Sequence, residues 1–234
     1  DWDAWIGPAP FEDFIKGYYH PGQWRKRLNY GTGTFGDMGC HIYDPTFKAL
    51  GLTFPTSLRS EGPVPNKDNW GFAAQIHYIF PKTQYSEGTN LPVTWYDGSA
   101  RPPKEVTDLL EGKKLPSQGS VIIGTKGVML IPHVGMPSLY PQKKFTDHKM
   151  EVVQGTNHWH EFIDAVREEG PEPSANFKYS GPLSETILLG GIATRFKNET
   201  LQWDAPTLSF KDNADATALV SRKYRKDWKV NGLG

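Results

Sequence analysis

The chain has 234 residues, and its 26 lysines and arginines balance its 26 aspartates and glutamates, so the formal net charge is zero. Nucleic-acid-binding domains usually carry a basic excess, and this balance argues against that class of function. The single cysteine excludes an intramolecular disulfide framework, and no apolar run approaches the about 20 residues that a membrane-spanning helix needs.

Residues 1–35 are rich in proline, glycine and aromatic residues, and we predict an ordered lead-in rather than a flexible linker. The large aromatic side chains of this segment need packing partners, and they are Trp2, Trp5, Phe11, Phe14, Tyr18, Tyr19 and Trp24. The main domain is expected to span residues 36–230, followed by a tail over 231–234, with tail-like composition from Tyr224 onwards. The first residue is not methionine, and we expect no signal peptide and a chain that is part of a longer polypeptide.

A helix is predicted over residues 37–50. Asp37 is expected in its first turn, where a carboxylate complements the positive end of the helix dipole. Gly51 stands where a C-terminal cap is expected. Pro45 removes the amide that would pair with the His41 carbonyl, so we expect the helix to kink or loosen there.

The middle of the chain is predicted to form strands, because runs of β-branched and aromatic residues are bounded by glycine, proline and asparagine. These runs are 56–60, 72–80, 91–96, 120–123 and 128–131, with a last strand expected over 207–210. A tight hairpin is predicted at 123–128. Strands that follow one another without intervening helices favour an antiparallel sheet and an α+β fold over a doubly wound one.

Two helices are expected after these strands. The first, over 157–169, has Asn157 as a suitable N-cap and an apolar stripe at helical spacing, which consists of Trp159, Phe162, Ile163 and Val166. The second is expected to begin near Gly181, with a proline at its first helical position. The glycine pair 190–191 within it predicts the close approach of another element.

Residues 31–36 match the dinucleotide pattern G-x-G-x-x-G. That pattern binds phosphate only between a buried strand and a helix of a βαβ unit. The preceding residues 24–30 are too charged for a central parallel strand, and no βαβ pattern follows. We therefore interpret the motif as a glycine-rich turn into a helix, with a nucleotide site as the alternative.

Asp37 and His41 are four residues apart and share a helix face, which Asp44 continues three residues later. A histidine beside a carboxylate can hold a defined tautomer and act as a general acid or base near neutral pH. The alternative is a surface Asp–His pair that only supports the helix.

Residues 18–52 resemble the Gfo/Idh/MocA oxidoreductase family, whose members carry a glycine-rich turn, an aspartate, a histidine four residues later and a further aspartate. Other parts of the chain are similar to the subgroup of this family that is common in bacteria, and they read DWDAWIGPAP, GSVIIGTKGVMLIP, NHWHEFIDAVREEG and SGPLSETILLGGIATRF. The resemblance implies a C-terminal domain with an open, predominantly antiparallel β-sheet and helices packed on one face, preceded by a Rossmann domain.

The resemblance also implies an NAD- or NADP-dependent enzyme that acts on a sugar, polyol or related hydroxy or keto compound. His41 would exchange a proton with the reacting hydroxyl, and Asp37 would bind a neighbouring hydroxyl and orient His41. Hydride transfer belongs to the cofactor. The Rossmann fingerprint and the Glu-Lys-Pro motif of the family lie upstream of this domain, and the chain contains no Glu-Lys-Pro. We therefore expect this chain alone to bind no cofactor and to be inactive.

Four further residues are substrate-binding candidates besides Asp44. Trp24 could stack on a sugar ring and Arg25 could bind a hydroxyl or carboxylate, the alternative being a core tryptophan and a solvated arginine. His158 and His160 lie in the first turn of a predicted helix, where free amides favour neutral imidazole. They are expected to face the pocket near His41, the alternative being a histidine pair that faces water.

Two other function classes remain open. A metal-dependent hydrolase or lyase could use His41, His158 and His160, although their spacing matches no paired-histidine metal motif. A free-standing carbohydrate-binding or scaffold domain could have kept the fold without a cofactor domain. In the family interpretation we expect a homo-oligomer formed through the open face of the sheet, because an exposed apolar sheet face rarely stays without a partner.

Overall fold

The computed structural model describes residues 1–232, which contain six α-helices and eight β-strands. The helices are α1 (Trp2–Ile6), α2 (Gly33–Leu50), α3 (Lys104–Asp108), α4 (His158–Val166), α5 (Phe177–Ala193) and α6 (Ala214–Thr217). The strands are β1 (Ser57–Ser60), β2 (Gln75–Pro81), β3 (Asn90–Tyr96), β4 (Gly119–Gly124), β5 (Gly127–Pro132), β6 (Ser138–Tyr140), β7 (Thr200–Asp204) and β8 (Ser209–Lys211). Residues 233 and 234 of the predicted tail lie outside the described residues.

The chain divides into two compact units. Unit 1 consists of residues 1–102 and 185–234, and unit 2 consists of residues 103–184. The domain boundaries expected from the sequence, after residues 35 and 230, stay predictions. Within residues 1–232, none of the helices is both long and apolar enough to cross a membrane.

Unit 1 is built on a five-stranded sheet in the order β3-β2-β1-β7-β8, in which every neighbouring pair is antiparallel. Strand β2 alternates strictly, and Ile76, Tyr78 and Phe80 are fully buried. Helix α5 covers this face, because the Tyr78 hydroxyl donates a 3.1 Å hydrogen bond to the Thr186 carbonyl. Helix α2 covers it as well, with the ring of Phe47 6.3 Å from that of Phe80. The expected α+β fold, with helices on one face of an antiparallel sheet, is confirmed.

The opposite face of this sheet is mainly polar. The His77 ring lies 3.1 Å from the Thr94 hydroxyl and 3.5 Å from the Glu61 carboxylate, which also pairs with Arg59 at 3.2 Å. Gln202 continues this face on β7 and is exposed. The expectation of an apolar open face was wrong, because the alternating strand residues that point away from the helices are predominantly polar.

Unit 2 contains a second antiparallel sheet in the order β4-β5-β6. Leu110, Val128, Leu130 and Tyr140 form its buried cluster. The predicted hairpin is confirmed. Strands β4 and β5 pair antiparallel, and the last pair before the turn is Gly124 with Gly127.

Helix α2 begins at Gly33, four residues before its predicted start. Asp37 therefore lies in the second turn, and the expectation that it would complement the helix dipole from the first turn was wrong. The C-terminal cap is confirmed: Gly51 has a left-handed conformation, and its amide donates to the carbonyls of Phe47 and Lys48. Pro45 lies within the helix, which continues to Leu50.

Helix α5 begins at Phe177 rather than near Gly181, and Pro182 lies inside it. The predicted close approach at its glycine pair is confirmed. A side chain at Gly190 would collide with the Tyr78 hydroxyl and the Phe35 ring, while one at Gly191 would lie 3.4 Å from Trp70.

Aromatic side chains of the lead-in pack against one another. Tyr19 is buried, with its ring 4.9 Å from that of Trp2 and 5.6 Å from that of Tyr30. Arg225, which lies in the predicted tail-like segment, is held to the lead-in, because it forms a 2.6 Å ion pair with Asp3 and donates to the Gly7 carbonyl at 2.7 Å. Charge-assisted hydrogen bonds of this kind are stronger than neutral ones.

Candidate functional site

The exposed face of α2 carries the predicted acid–base residues. Asp37 and His41 are exposed and one helical turn apart, and Asp44 follows on the same face with its side chain half-buried. The other face of the helix, which includes Phe35 and Phe47, is buried against the sheet. Helix α2 therefore buries its apolar face and presents its polar, titratable side chains to solvent.

Trp24 and Arg25 are brought next to this face. They belong to a short 3-10 helix, Gln23–Lys26, that precedes α2. The Arg25 Nε atom lies 3.7 Å from Asp37 Oδ1. The guanidinium carbon of Arg25 also lies 5.0 Å from the centre of the Trp24 ring. Three of the residues predicted from the sequence, Trp24, Arg25 and Asp37, therefore form one contiguous group.

This group offers three kinds of contact to a ligand. Asp37 accepts hydrogen bonds, Arg25 donates them, and Trp24 presents part of an aromatic ring. Arg25 and Asp37 are both about half exposed, and a pair in that environment gains little from its Coulomb attraction. Either side chain can therefore exchange its partner for a ligand hydroxyl at small cost. His41 adds an imidazole, the side chain that serves most often as a general acid or base.

The glycine-rich turn before α2 holds these residues in place. A side chain at Gly31 would collide with the backbone of Arg25, so only glycine lets the 3-10 helix approach the start of α2. Gly33 has a φ of +73°, and a side chain there would lie 2.7 Å from the β-carbon of Trp70. A side chain at Gly36 would collide with Thr32. These three glycines accommodate close approaches within the chain.

Two amides of this glycine motif are used within the chain. The Gly31 amide donates to the Arg27 carbonyl at 2.9 Å and the Gly36 amide to the Thr32 carbonyl at 3.2 Å, whereas a phosphate-binding turn offers its amides to the ligand. The ladders between the described strands are antiparallel, whereas the dinucleotide motif belongs to a parallel βαβ unit. The interpretation of this motif as a structural turn agrees with the surroundings of its glycines.

Trp70 is the residue of this region that sequence analysis missed. Its indole Nε1 donates a 2.6 Å hydrogen bond to the Gly31 carbonyl, and its amide donates to the Lys26 carbonyl at 2.8 Å. The Arg195 guanidinium lies 5.7 Å from its ring centre. Trp70 lies in an irregular segment before β2, where no periodic pattern marks a packing residue. The adjacent Gly71, which leaves no room for a side chain beside Thr194, was the available signal of close packing.

His158 and His160 belong to unit 2 and begin α4. The side chain of Asn157 caps this helix, as predicted, by accepting from the amides of Trp159 and His160 at 3.0 and 3.2 Å. Both histidines are exposed, and His158 Nδ1 lies 4.0 Å from the Glu161 carboxylate. Their predicted position near His41 stays a prediction.

A metal centre has no support in the described part of the chain. Residues 1–232 contain no group of three or more His, Cys, Asp or Glu side chains that could hold a metal ion. The metal-dependent hydrolase or lyase is therefore not developed further.

The comparison with protein families agrees with the geometry. The model of the "Oxidoreductase family, C-terminal alpha/beta domain", which is the Gfo/Idh/MocA C-terminal domain, matches residues 1–230. No curated protein matches the chain.

Proposed function

We propose, since the chain belongs to the Gfo/Idh/MocA oxidoreductase family as its C-terminal alpha/beta domain, that it binds the substrate of an NAD- or NADP-dependent enzyme. The substrate class is a sugar, polyol or similar hydroxy or keto compound. The observation that carries this proposal is the exposed face of α2, where Asp37 and His41 stand one turn apart and Arg25 lies 3.7 Å from Asp37.

His41 is the proposed acid–base residue. An imidazole exchanges protons near neutral pH, and the exposed position of His41 leaves its ring accessible to a substrate hydroxyl. Asp37 would accept a hydrogen bond from a neighbouring hydroxyl. Two such contacts on one helix face would fix which carbon of a polyhydroxy compound lies beside His41.

Arg25 and Trp24 complete the proposed binding surface. Arg25 would donate to a second hydroxyl, and the Trp24 ring, half-buried in the 3-10 helix, would pack against the apolar face of a sugar. Asp44 would extend the polar contacts along α2. His158 and His160 are proposed as further hydroxyl-binding residues.

The nicotinamide cofactor is assigned to a Rossmann domain that precedes this domain in the intact enzyme. The glycine turn of this chain supports that division, because its Gly31 and Gly36 amides donate to the carbonyls of Arg27 and Thr32 rather than facing a ligand. When bound, NAD or NADP supplies the hydride chemistry. This chain alone would then hold substrate without turning it over.

Homo-oligomer formation through the open face of the five-stranded sheet also remains part of the proposal. The side chains available there are polar, so contacts between subunits would include hydrogen bonds of the His77–Glu61–Arg59 group. Interfaces with about one hydrogen bond per 100–200 Å² are common.

The test is a turnover assay of the intact polypeptide from the natural gene. Reduction of NAD⁺ and NADP⁺ is followed by the near-ultraviolet absorbance of the reduced nicotinamide, against hexoses, pentoses, linear polyols and inositols. We expect turnover with at least one of these compounds and none with the 234-residue chain. A natural gene without an upstream Rossmann domain, combined with sugar binding by this chain, would instead favour the carbohydrate-binding scaffold.

A further inference from the structure

Residues 66–70, in the irregular segment before β2, contact the chain just after Trp24 and Arg25, and we call them the clamp loop. Four hydrogen bonds join the two segments, and they are Trp70 N–H to the Lys26 carbonyl (2.8 Å), Leu28 N–H to the Asp68 carbonyl (2.9 Å), Arg27 Nη1 to Asn69 Oδ1 (2.9 Å) and Trp70 Nε1 to the Gly31 carbonyl (2.6 Å). Both main-chain and side-chain groups of the clamp loop are therefore used to hold residues 26–31.

The clamp loop is itself attached to the core of unit 1. Arg195, which follows α5, donates a 2.8 Å hydrogen bond from Nη2 to the Asn69 carbonyl. The Arg195 guanidinium also lies 5.7 Å from the centre of the Trp70 ring. That ring packs against α5 as well, since a side chain at Gly191 would lie 3.4 Å from it. The position of α5 is thereby passed on to residues 26–31.

The short helix that carries Trp24 and Arg25 has little packing of its own. It is a 3-10 helix of four residues, Gln23–Lys26, and none of the four is buried. Such helices form only short pieces, because their hydrogen-bond geometry is poorer than that of an α-helix. The contacts of residues 26–31 with the clamp loop are therefore an important support for the place of this helix.

Asp37 and His41 are supported differently. They lie on α2, which is held to the five-stranded sheet by the buried side chains of Phe35, Tyr43 and Phe47. The candidate site thus consists of two parts with separate supports. The acid–base part is on a long helix packed on the core, and the part that would bind further hydroxyls depends on the clamp loop.

We propose that Trp70 is a positioning residue for substrate binding, which acts through Gly31 and Lys26 on Arg25 and Trp24. The inference rests on the proposed function, which assigns Arg25 and Trp24 to the substrate. Gly31 passes the effect on, because the Arg25 backbone lies directly against it. Contacts to hydroxyls away from the reacting carbon are made equally before and during the reaction, so loosening them raises KM and leaves kcat unchanged.

Hydrogen–deuterium exchange of the 234-residue chain tests the first step. Trp70→Phe keeps an aromatic ring and removes the indole donor to Gly31. Exchange in peptides that cover residues 23–31 should become about three- to tenfold faster, the change expected for the loss of one hydrogen bond. Peptides from residues 38–50 of α2 should exchange as before. Asn69→Ala, which removes the acceptor of Arg27 Nη1, should act in the same direction.

Trp203→Phe is the matched control. The Trp203 indole donates a 2.7 Å hydrogen bond to Glu185 Oε1, so this variant also loses one indole donor, but Trp203 lies on β7 and takes no part in the clamp loop. It should leave the exchange of residues 23–31 unchanged. The control separates the effect of the clamp loop from a general loss of stability.

Steady-state kinetics of the intact enzyme test the second step. Trp70→Phe should raise KM about three- to tenfold, in proportion to the lost hydrogen bond, with kcat unchanged. Trp203→Phe should change neither parameter. A variant that only unfolds more easily would show a lower apparent kcat and an unchanged KM, because fewer molecules would be active while each bound substrate normally.

Two results would overturn the inference. One is unchanged exchange of residues 23–31 in both Trp70→Phe and Asn69→Ala. The other is an unchanged KM in Trp70→Phe when Arg25→Ala raises KM. Failure of the proposed function has a different signature. If Arg25→Ala also leaves KM unchanged, or if the intact protein turns over no sugar or polyol, the assigned substrate site is wrong, while the exchange data still decide whether Trp70 holds the segment.

Discussion

The indole Nε1 of Trp70 donates a 2.6 Å hydrogen bond to the carbonyl oxygen of Gly31. This bond joins the segment before β2 to the turn that starts α2. Trp70 thereby packs a loop against the candidate site. Gly31, which accepts this hydrogen bond, is also the residue against which the Arg25 backbone lies. Arg25 and Asp37 come together as a consequence of this packing.

The first prediction concerns nucleotide binding. The 234-residue chain should bind no NADH at concentrations up to about 1 mM, a limit that corresponds to roughly −4 kcal/mol, because the Gly31 and Gly36 amides of its glycine turn already donate to carbonyls of the chain. Tryptophan quenching and nicotinamide fluorescence measure the binding. Saturable binding at micromolar NADH would mean that residues 31–36 form a nucleotide site and that the domain assignment is wrong.

The second prediction concerns proton transfer. In the intact enzyme, His41→Ala should lower kcat by about 10²–10⁴, the usual contribution of a general acid or base. Stability should change by less than about 0.5 kcal/mol, because the side chain is exposed on α2. Steady-state kinetics and thermal unfolding measure the two effects. Cys40→Ala, at the adjacent exposed position, is the control and should retain activity; a His41→Ala enzyme with full turnover would exclude the assigned role.

The third prediction concerns Asp37. Asp37→Asn should raise KM and lower kcat together, because the variant replaces one of the two acceptor oxygens with an NH2 group and removes the charge that faces Arg25 at 3.7 Å. The loss of one hydrogen bond to a charged group is about 1.5–3 kcal/mol, or about 10- to 150-fold in kcat/KM. Initial-rate kinetics over a range of substrate concentrations separate the two parameters. If neither KM nor kcat changes, Asp37 and His41 only support the helix.

Periodicity predicted those parts of the fold whose side chains alternate between core and solvent. Strand β2 is one, with Ile76, Tyr78 and Phe80 buried and the residues between them more exposed. Strand β7 was missed, because its five residues contain only two core side chains, Leu201 and Trp203, and a short run gives a weak pattern. The spacing of Asp37 and His41 predicted their common face, since helical geometry alone determines it.

Two features were not predicted, for different reasons. Helix α5 starts before Pro182 because of a local cap, in which the side chain of Asn176 accepts from the Tyr179 amide at 3.1 Å and supports an earlier first turn. The packing beside Arg25 is tertiary, since the Trp70–Gly31 hydrogen bond joins residues 39 positions apart. Such contacts leave no periodic signal in a single sequence.

The fourth prediction concerns pH. Burial raises the pKa of Glu185 above its usual 4.5, although its Oε1 accepts a 2.7 Å hydrogen bond from Trp203. A raised pKa means that the folded state binds the proton more tightly than the unfolded state, so ionisation destabilises the fold as the pH rises above 4.5. Glu185→Gln keeps the acceptor and removes the charge. The variant should therefore gain in Tm over the wild type as the pH increases from 4 to 7, in thermal unfolding curves recorded across that range. A gain that shrinks with increasing pH would contradict this account.

The fifth prediction compares two neighbouring glycines of α5. Gly190→Ala should destabilise the domain by about 1–3 kcal/mol, the usual cost of overpacking, because the new methyl group would collide with the Tyr78 hydroxyl and the Phe35 ring. Tyr78 cannot move away easily, since it is fully buried and bonded to the Thr186 carbonyl. Gly191→Ala places its methyl group at an ordinary contact distance of 3.4 Å from Trp70, and alanine is the better helix former by about 1 kcal/mol. The two variants should shift the free energy of unfolding in opposite directions in urea titrations. Equal destabilisation by both would mean that α5 lies closer to Trp70 than the structure has it.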